Sequence, residues 1–336
     1  MDSKVWKDKF WKASGRIKAR LKEFFARLLR GKLGKNTSYG PETMAEACHQ
    51  MLCTGVSLSS TAQSMGLAHT TLTRKLQRVS RNDVWKALSS VMDSVMQVEE
   101  NLLIADFTHL EYTGKNLLSF TTGTKKGYLF KVLAAATGKV ICYLAPISML
   151  DFKEDLLHDL LHRSGCGRTF VSDAEFSSKE CLKQLWEAAD NDLITGFVVR
   201  GNPRWHRILY RFKGLPVGCK RRMNLWGRNI WVCKVKLGRE DAYLLSSSSR
   251  LGPDQYKARW AIEVYFRDAK HLQPRMCLHT LAARLAVFAS CIIASAVLRL
   301  LQVSKGTWKS RIVNLAFRVL EFLAPIHATL GRKNPG

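Results

Sequence analysis

The sequence predicts an α/β protein with an α-helical N-terminal part, and three observations lead there. Between residues 99 and 200, short apolar runs alternate with amphipathic stretches of helical period. Residues 201–250 break into brief strand-like runs separated by Gly and Pro. Residues 42–79 and 255–273 carry helical periodicity and no strand pattern. A chain of 336 residues can bury a sizeable core and hold two or three domains.

Residues 1–30 are basic and amphipathic: Phe10, Ile17, Leu21, Phe24 and Leu28 recur at helical spacing with Lys and Arg between them. Such a helix packs on its own protein or lies on DNA, and residues 31–41 read as a linker. A helix-turn-helix pattern follows. Glu42–Cys53 and Ser57–Met65 form two helices, Gly66-Leu67 the turn, and His69–Val79 a third helix exposing Thr70, Thr71, Arg74, Lys75 and Arg78.

Leu102–Thr108 is an apolar strand carrying Asp106 near its end. Tyr128–Ala136 and Val140–Pro146 are strands around a turn at Thr137-Gly138-Lys139. Lys153–Arg163 is a helix, Arg168–Ser172 a strand running into Asp173, Ser178–Ala189 a helix and Leu193–Arg200 a strand. Ile208–Phe212, Asn229–Leu237 and Ala242–Ser246 are the strand-like runs of the 201–250 segment. Gln255–Gln273 contains no Gly or Pro and predicts one helix. Three strands, helix, strand, helix, strand and a late helix is the element order of a ribonuclease-H-like fold.

The net charge is +26, from 53 Lys+Arg against 27 Asp+Glu, which points to a polyanionic partner. Residues 200–239 hold twelve Lys/Arg and no acid, whereas residues 99–192 hold fourteen of the acids. Acidic chemistry inside a basic shell suits a metal-dependent enzyme of nucleic acid. Nine cysteines without a C-x-x-C pair, and no secretory leader, suggest reduced thiols and a cytoplasmic location. Leu285–Leu298 is an apolar run between arginines that reads as a buried helix, and no membrane partner is expected. His158 and His162 stand four apart, as in zinc proteases, but lack the intervening Glu.

The 255–273 helix places Tyr256, Arg259, Glu263 and Lys270 at spacings of three, four and seven residues. Seven residues make nearly two turns, so Tyr256, Glu263 and Lys270 share a face with Arg259 beside them. A carboxylate among cations and a phenol can hold a hard metal ion next to phosphates. The spacing Y-x2-R-x3-E-x6-K, in the context RW-x-IE-x-x-F-x-x-x-K, resembles the YREK signature of DDE transposases of insertion sequences, the group numbered four.

The resemblance covers about residues 100–300. It implies a DNA transposase with a ribonuclease-H-like catalytic core, a β-rich insertion and an α-helical N-terminal DNA-binding domain. The boundaries are 1–41 for the basic segment and linker, 42–98 for the helical DNA-binding domain and 99–200 with 251–300 for the core. Residues 201–250 are the insertion and 301–336 a helical C-terminal region. Asp106, Asp173 and Glu263 are then the catalytic triad and the ligands of two Mg2+ or Mn2+ ions, with Glu111, Asp151, Asp155 and Glu175 as competing carboxylates. Tyr256, Arg259 and Lys270 contact phosphates, as do Arg74, Lys75 and Arg78 in the recognition helix.

Trp205, Trp226 and Trp231 lie in the basic insertion. Trp226 is the one expected to be exposed, near a hairpin turn at Gly227-Arg228-Asn229, where it can stack on an unpaired base. The implied partners are double-stranded DNA, as element ends and target, and a second copy of the chain. The rival readings are a catalytically inactive DNA-binding derivative and another ribonuclease-H-like nuclease.

Overall fold

The computed structural model describes residues 3–32, 39–95, 101–112, 121–124, 127–137, 140–147, 153–202, 206–274, 278 and 280–301. The predicted C-terminal region at 302–336, the turn at 138–139 and Trp205 lie outside them. The chain forms two compact units, Met1–Ala87 with Asp268–Gly336, and Leu88–Arg267.

The first unit is helical. α1 (Ser3–Leu28) buries Ala13, Ile17, Leu21, Phe24, Phe25 and Leu28, a stripe at helical period. That stripe packs on α2 (Pro41–Thr54) and on the late helix α11 (Leu281–Leu300), so this face serves the protein's own core. α3 (Leu58–Ser64) starts at Ser57, whose side chain caps the Ser60 amide at 3.2 Å. Gly66, at φ +69°, makes the left-handed turn into α4 (His69–Gln77). α5 (Arg81–Val95) follows and crosses the unit boundary. α11 is long and apolar enough to cross a membrane, yet 94% of its most apolar window is buried inside the protein. The expectation for Leu285–Leu298 is met.

The second unit is mixed α/β around a sheet that, among the described residues, has nine strands. β1 (Leu102–Tyr112) lies beside β5 (Thr169–Ser172), which lies beside β6 (Gly196–Arg200), all three parallel. On the other side of β1, β3 (Gly127–Thr137) runs antiparallel. β2 (Thr121–Thr124) and β4 (Val140–Ile147) both pair with β3. α6 (Lys153–Ser164) and α7 (Lys179–Asp190) pack together, with α7 against β6.

Beyond β6 the sheet continues antiparallel through β9 (Glu240–Ser246), β8 (Arg228–Leu237) and β7 (Lys220–Leu225). Residues 220–246 thus extend the same sheet. β7 is a strand the sequence pattern did not announce: it is an edge strand, Lys-Arg-Arg-Met-Asn-Leu, whose charges suit an unpaired edge.

Three expectations need correction. Ile208–Phe212 is not a strand: α8 (His206–Leu209) runs into a 3-10 turn at Tyr210–Phe212. Leu209 and Phe212, three apart, are its buried residues, which is a helical spacing. The hairpin turn is Trp226-Gly227, since Leu225 already pairs with Arg228. Both turn residues have positive φ, +54° and +83°, as a two-residue hairpin turn requires. Finally, Gln255–Gln273 is not one helix. α9 (Pro253–Lys257) ends at a tight turn, and α10 (Trp260–Leu272) begins after it. Bonds from Arg259 N to Tyr256 O, 3.0 Å, and from Ile262 N to Arg259 O, 3.1 Å, wind the junction more tightly than an α-helix.

Candidate functional site

The site is built where β5 and β6 end. Ala105 of β1 is in register with Ser172 of β5, so Asp106 and Asp173 come next, side by side. Asp106 does not end its strand, because β1 continues against β3 to Tyr112. It stands where β1 loses its β5 neighbour, and there its side chain can serve a site. Phe107 and Phe176 stack at 5.2 Å and tie β1 to the turn after Asp173. Lys153 Nζ donates to the Glu175 carbonyl at 2.9 Å and holds the same turn. Asp173 caps that turn, accepting from the Glu175 amide at 2.9 Å.

α9 packs against β5 and β6, which brings Tyr256 to the site, and the turn after it delivers Arg259. Arg259 Nη1 donates to Asp106 Oδ2 at 2.9 Å, and its Nη2 pairs with Glu263 Oε1 at 2.5 Å. Its guanidinium carbon also lies 5.5 Å from the Tyr256 ring centroid. The i,i+4 step from Arg259 to Glu263 survives the break between the helices, and Arg259 becomes the hub. Asp106 further accepts from its neighbour's amide, Phe107 N, at 2.8 Å. Lys270 lies in the last turn of α10.

The electrostatics show strain of charge. Burial, then the Asp173 carboxylate beside it, push Asp106 up to about 7, against the pull of Arg259. Burial also raises the Tyr256 phenol. For Arg259 burial acts to lower the pKa, but Tyr256, Asp106, Glu263 and Asp173 outweigh it and hold the guanidinium charged. Glu263 is more open, with 42% of its side chain exposed against 10% for Asp106.

Among the described residues no three His, Cys, Asp or Glu side chains are close enough to hold a metal ion as they stand. The donor set nevertheless fits a hard cation, being all carboxylate oxygen, with Asp173 and Glu263 both opposing the charge of Asp106. Arg259 supplies the positive charge that joins Asp106 to Glu263. His158 and His162 on α6 have ring nitrogens 3.0 Å apart but no third ligand among the described residues.

Of the other predicted contacts, Arg74 and Arg78 are exposed on α4. Lys75 is not: it is 6% exposed, and its ammonium donates to the Tyr39 carbonyl and lies 5.6 Å from the Tyr39 ring centroid. That correction follows from helical geometry, since Leu72, Lys75, Leu76 and Val79 share the inward face. Trp226 is 40% exposed at the β7–β8 turn, with Lys179 Nζ 5.9 Å from its ring centroid. Sequence reasoning passed over Arg200, which the β5–β6 register places beside Asp173. The signal was an Arg closing the apolar run Gly-Phe-Val-Val.

No family model matches the chain, and neither does any curated protein sequence. Among solved structures, the fold is similar to that of piggyBac transposase, seen by cryo-EM in a synaptic complex with hairpin DNA. The TM-score is 0.51 at 13% identity, over 88% of this chain and 76% of that one. At that identity the likeness is one of architecture: this chain shares a mixed α/β fold with a transposase.

Proposed function

We propose that this protein is a DNA transposase of the DDE type, in the YREK-signature group of insertion-sequence transposases, with a ribonuclease-H-like core. One observation carries the reading. Asp106 and Glu263, distant in sequence, are joined through Arg259, with Asp173 in the next strand position beside Asp106. The sheet order around them supports the core: parallel β1, β5 and β6, with β3 antiparallel on the other flank.

Asp106, Asp173 and Glu263 would hold Mg2+ or Mn2+. Such ions, when bound, clamp the attacking and leaving oxygens of an in-line phosphoryl displacement. Arg259, released from the carboxylates, offers its fork to a backbone phosphate. Tyr256 backs that guanidinium. Arg74 and Arg78 read or grip the duplex from α4, and Trp226 stacks on a base displaced from it. The protein works in the cytoplasm as a homodimer on its element ends, hydrolysing them and joining the 3′-hydroxyls to target DNA.

A specific observation favours a second reading, that of a DNA-binding derivative without catalysis: Arg259 fills the space between two of the three carboxylates. The test separates the two. Purified protein is incubated with candidate element ends, supercoiled target and Mg2+, and cuts and joints are mapped. Metal-dependent nicking and joining, lost by at least about 10³-fold in Glu263→Ala while DNA binding persists, supports the transposase. DNA binding with no cutting in either Mg2+ or Mn2+ leaves the binding protein standing.

A further inference from the structure

α6 carries a pair of side chains that the proposed chemistry leaves unused. His158 and His162 are four residues apart, so one helical turn sets them on the same face. Their Nε2 atoms lie 3.0 Å apart and their ring centroids 4.2 Å apart. Both residues are exposed. The opposite face, with Leu156, Leu157, Leu160 and Leu161, is buried, and α6 packs on α7 and β4. The two imidazoles therefore stand on a rigid element and need little further ordering to act together.

Their separation is that of a chelate. Two metal–imidazole bonds of ~2.0–2.1 Å span about 3 Å between the nitrogens when they meet near a right angle. That is the angle of neighbouring ligands in tetragonal Ni2+ or Cu2+, and tetrahedral Zn2+ opens it only slightly. Without a metal the same two nitrogens share one hydrogen, and the tautomers set which ring donates. The donating ring frees its Nε2 lone pair by carrying its hydrogen on Nδ1 instead, so no proton is lost overall.

The charges on the helix favour a cation. α6 holds Glu154, Asp155 and Asp159 against Lys153 and Arg163. Both of those cations are committed, Lys153 to the Glu175 carbonyl at 2.9 Å and Arg163 to Asp159 at 2.6 Å. His162 lies in the last turn, where the helix presents its partial negative charge.

We propose that His158 and His162 form a two-imidazole site for a divalent transition metal of the Ni2+, Cu2+ or Zn2+ class. No third His, Cys, Asp or Glu completes the shell among the described residues, so water fills the remaining positions. Nitrogen donors suit these ions, whereas the carboxylates of the candidate site suit harder ones such as Mg2+. The two sites thus differ in the metal they select, and the imidazole site does not depend on the transposase reading.

The test uses the full chain with its thiols capped by iodoacetamide and with excess Mg2+ to occupy oxygen donors. Ni2+ alone is the probe. It is titrated against wild type, His158→Gln, His162→Gln, the double variant and His271→Gln, which removes an exposed histidine of α10. Competition with a chromophoric chelator reads affinity, and thermal melts with and without Ni2+ read linkage. Wild type and His271→Gln should bind Ni2+ roughly 10²-fold more tightly than the double variant, because two linked ligands chelate. Each single variant should fall almost as far as the double, since one imidazole alone does not chelate. The rise in melting temperature with Ni2+ should vanish in the same three variants. A loss under about 10-fold in either single variant overturns the site, and so does an equal loss in His271→Gln. Should a Gln variant melt early without Ni2+, Ala at the same position decides by the same two readings.

Discussion

Asp83 and Asp106 show how differently the two units treat a carboxylate. Asp83, in the first turn of α5, accepts from the Ser80 amide and hydroxyl, both at 2.7 Å, and pairs with Lys32. Burial acts to raise it, but Lys32 and Ser80 outweigh that and bring it down to about 2. Asp106 has Arg259 and the Phe107 amide, yet burial and Asp173 carry it up to about 7. The helical unit places this acid where a sequence-local rule favours it, at a helix start beside Ser80, and brings Lys32 to it from 51 residues away. The rim of the sheet gathers like charges that folding alone would keep apart. Natural proteins violate such consistency most often at functional sites, and here the crowding falls at the candidate site.

The difference can be sharpened by titration. Asp106 is held above its ordinary 3.8, so the folded protein keeps a proton that the unfolded chain has released. Its stabilising contribution is complete below 3.8 and is lost as pH rises through about 7. Asp106→Asn, which keeps the shape of the protonated acid, should therefore raise stability at pH 8 by up to roughly 4 kcal/mol and change little at pH 4. Urea unfolding at the two pH values checks this. A variant less stable than wild type at pH 8 would show that Arg259 outweighs Asp173.

Asp83 has the opposite sign. Its contribution is present above 3.8 and is lost as pH falls through about 2. Asp83→Asn should cost about 1–2 kcal/mol at pH 7, allowing for solvent screening, and the gap should close as acid approaches pH 2. A gap that does not depend on pH would point to packing in place of charge.

Within α4 the comparison repeats on a smaller scale. Lys75→Ala should lower stability by about 1 kcal/mol, since it removes a buried cation from its carbonyl and ring. Arg74→Gln and Arg78→Gln should leave the melting temperature within about 0.5 kcal/mol of wild type. Each should also flatten the salt dependence of duplex binding by about 0.9. Unchanged salt slopes in both variants would make α4 a packing element only.

The smallest effect concerns Trp226, a non-glycine residue at φ +54° in a turn that favours Asn-Gly. Trp226→Asn should stabilise the fold by roughly 0.5–1 kcal/mol in thermal melts. On the proposed function, the same variant nicks DNA normally but slows a later step. A lowered melting temperature would place the indole in the protein's own core.

Much of this architecture was legible in advance because local physics carries it. The strands at Leu102, Tyr128, Val140, Arg168 and Leu193, though not β2, the helices at Lys153 and Lys179, the Ser57 start of α3 and the burial of α11 follow from periodicity, branched residues and caps. The errors fall where a local pattern is ambiguous. Ile208–Phe212 alternates like a strand, yet also offers Leu209 and Phe212 at helical spacing, and packing chose the helix. β7 is polar because it is an edge, and an edge strand needs no apolar alternation.

The sequence by itself determined the chemical inventory of the site: carboxylates at Asp106, Asp173 and Glu263, and the Tyr256–Arg259–Glu263 spacing. It also set the basic excess that asks for a polyanion. Which of these meet, and through what, was decided only by tertiary structure. The β1–β5–β6 register puts Asp106, Asp173 and Arg200 in one row. The tight turn between α9 and α10 makes Arg259 the hub, and the inward face of α4 takes Lys75 away from solvent. The physical reason is range. Periodicity and capping act over a few residues, whereas register and burial are set by partners some tens to hundreds of residues away, which no local pattern encodes.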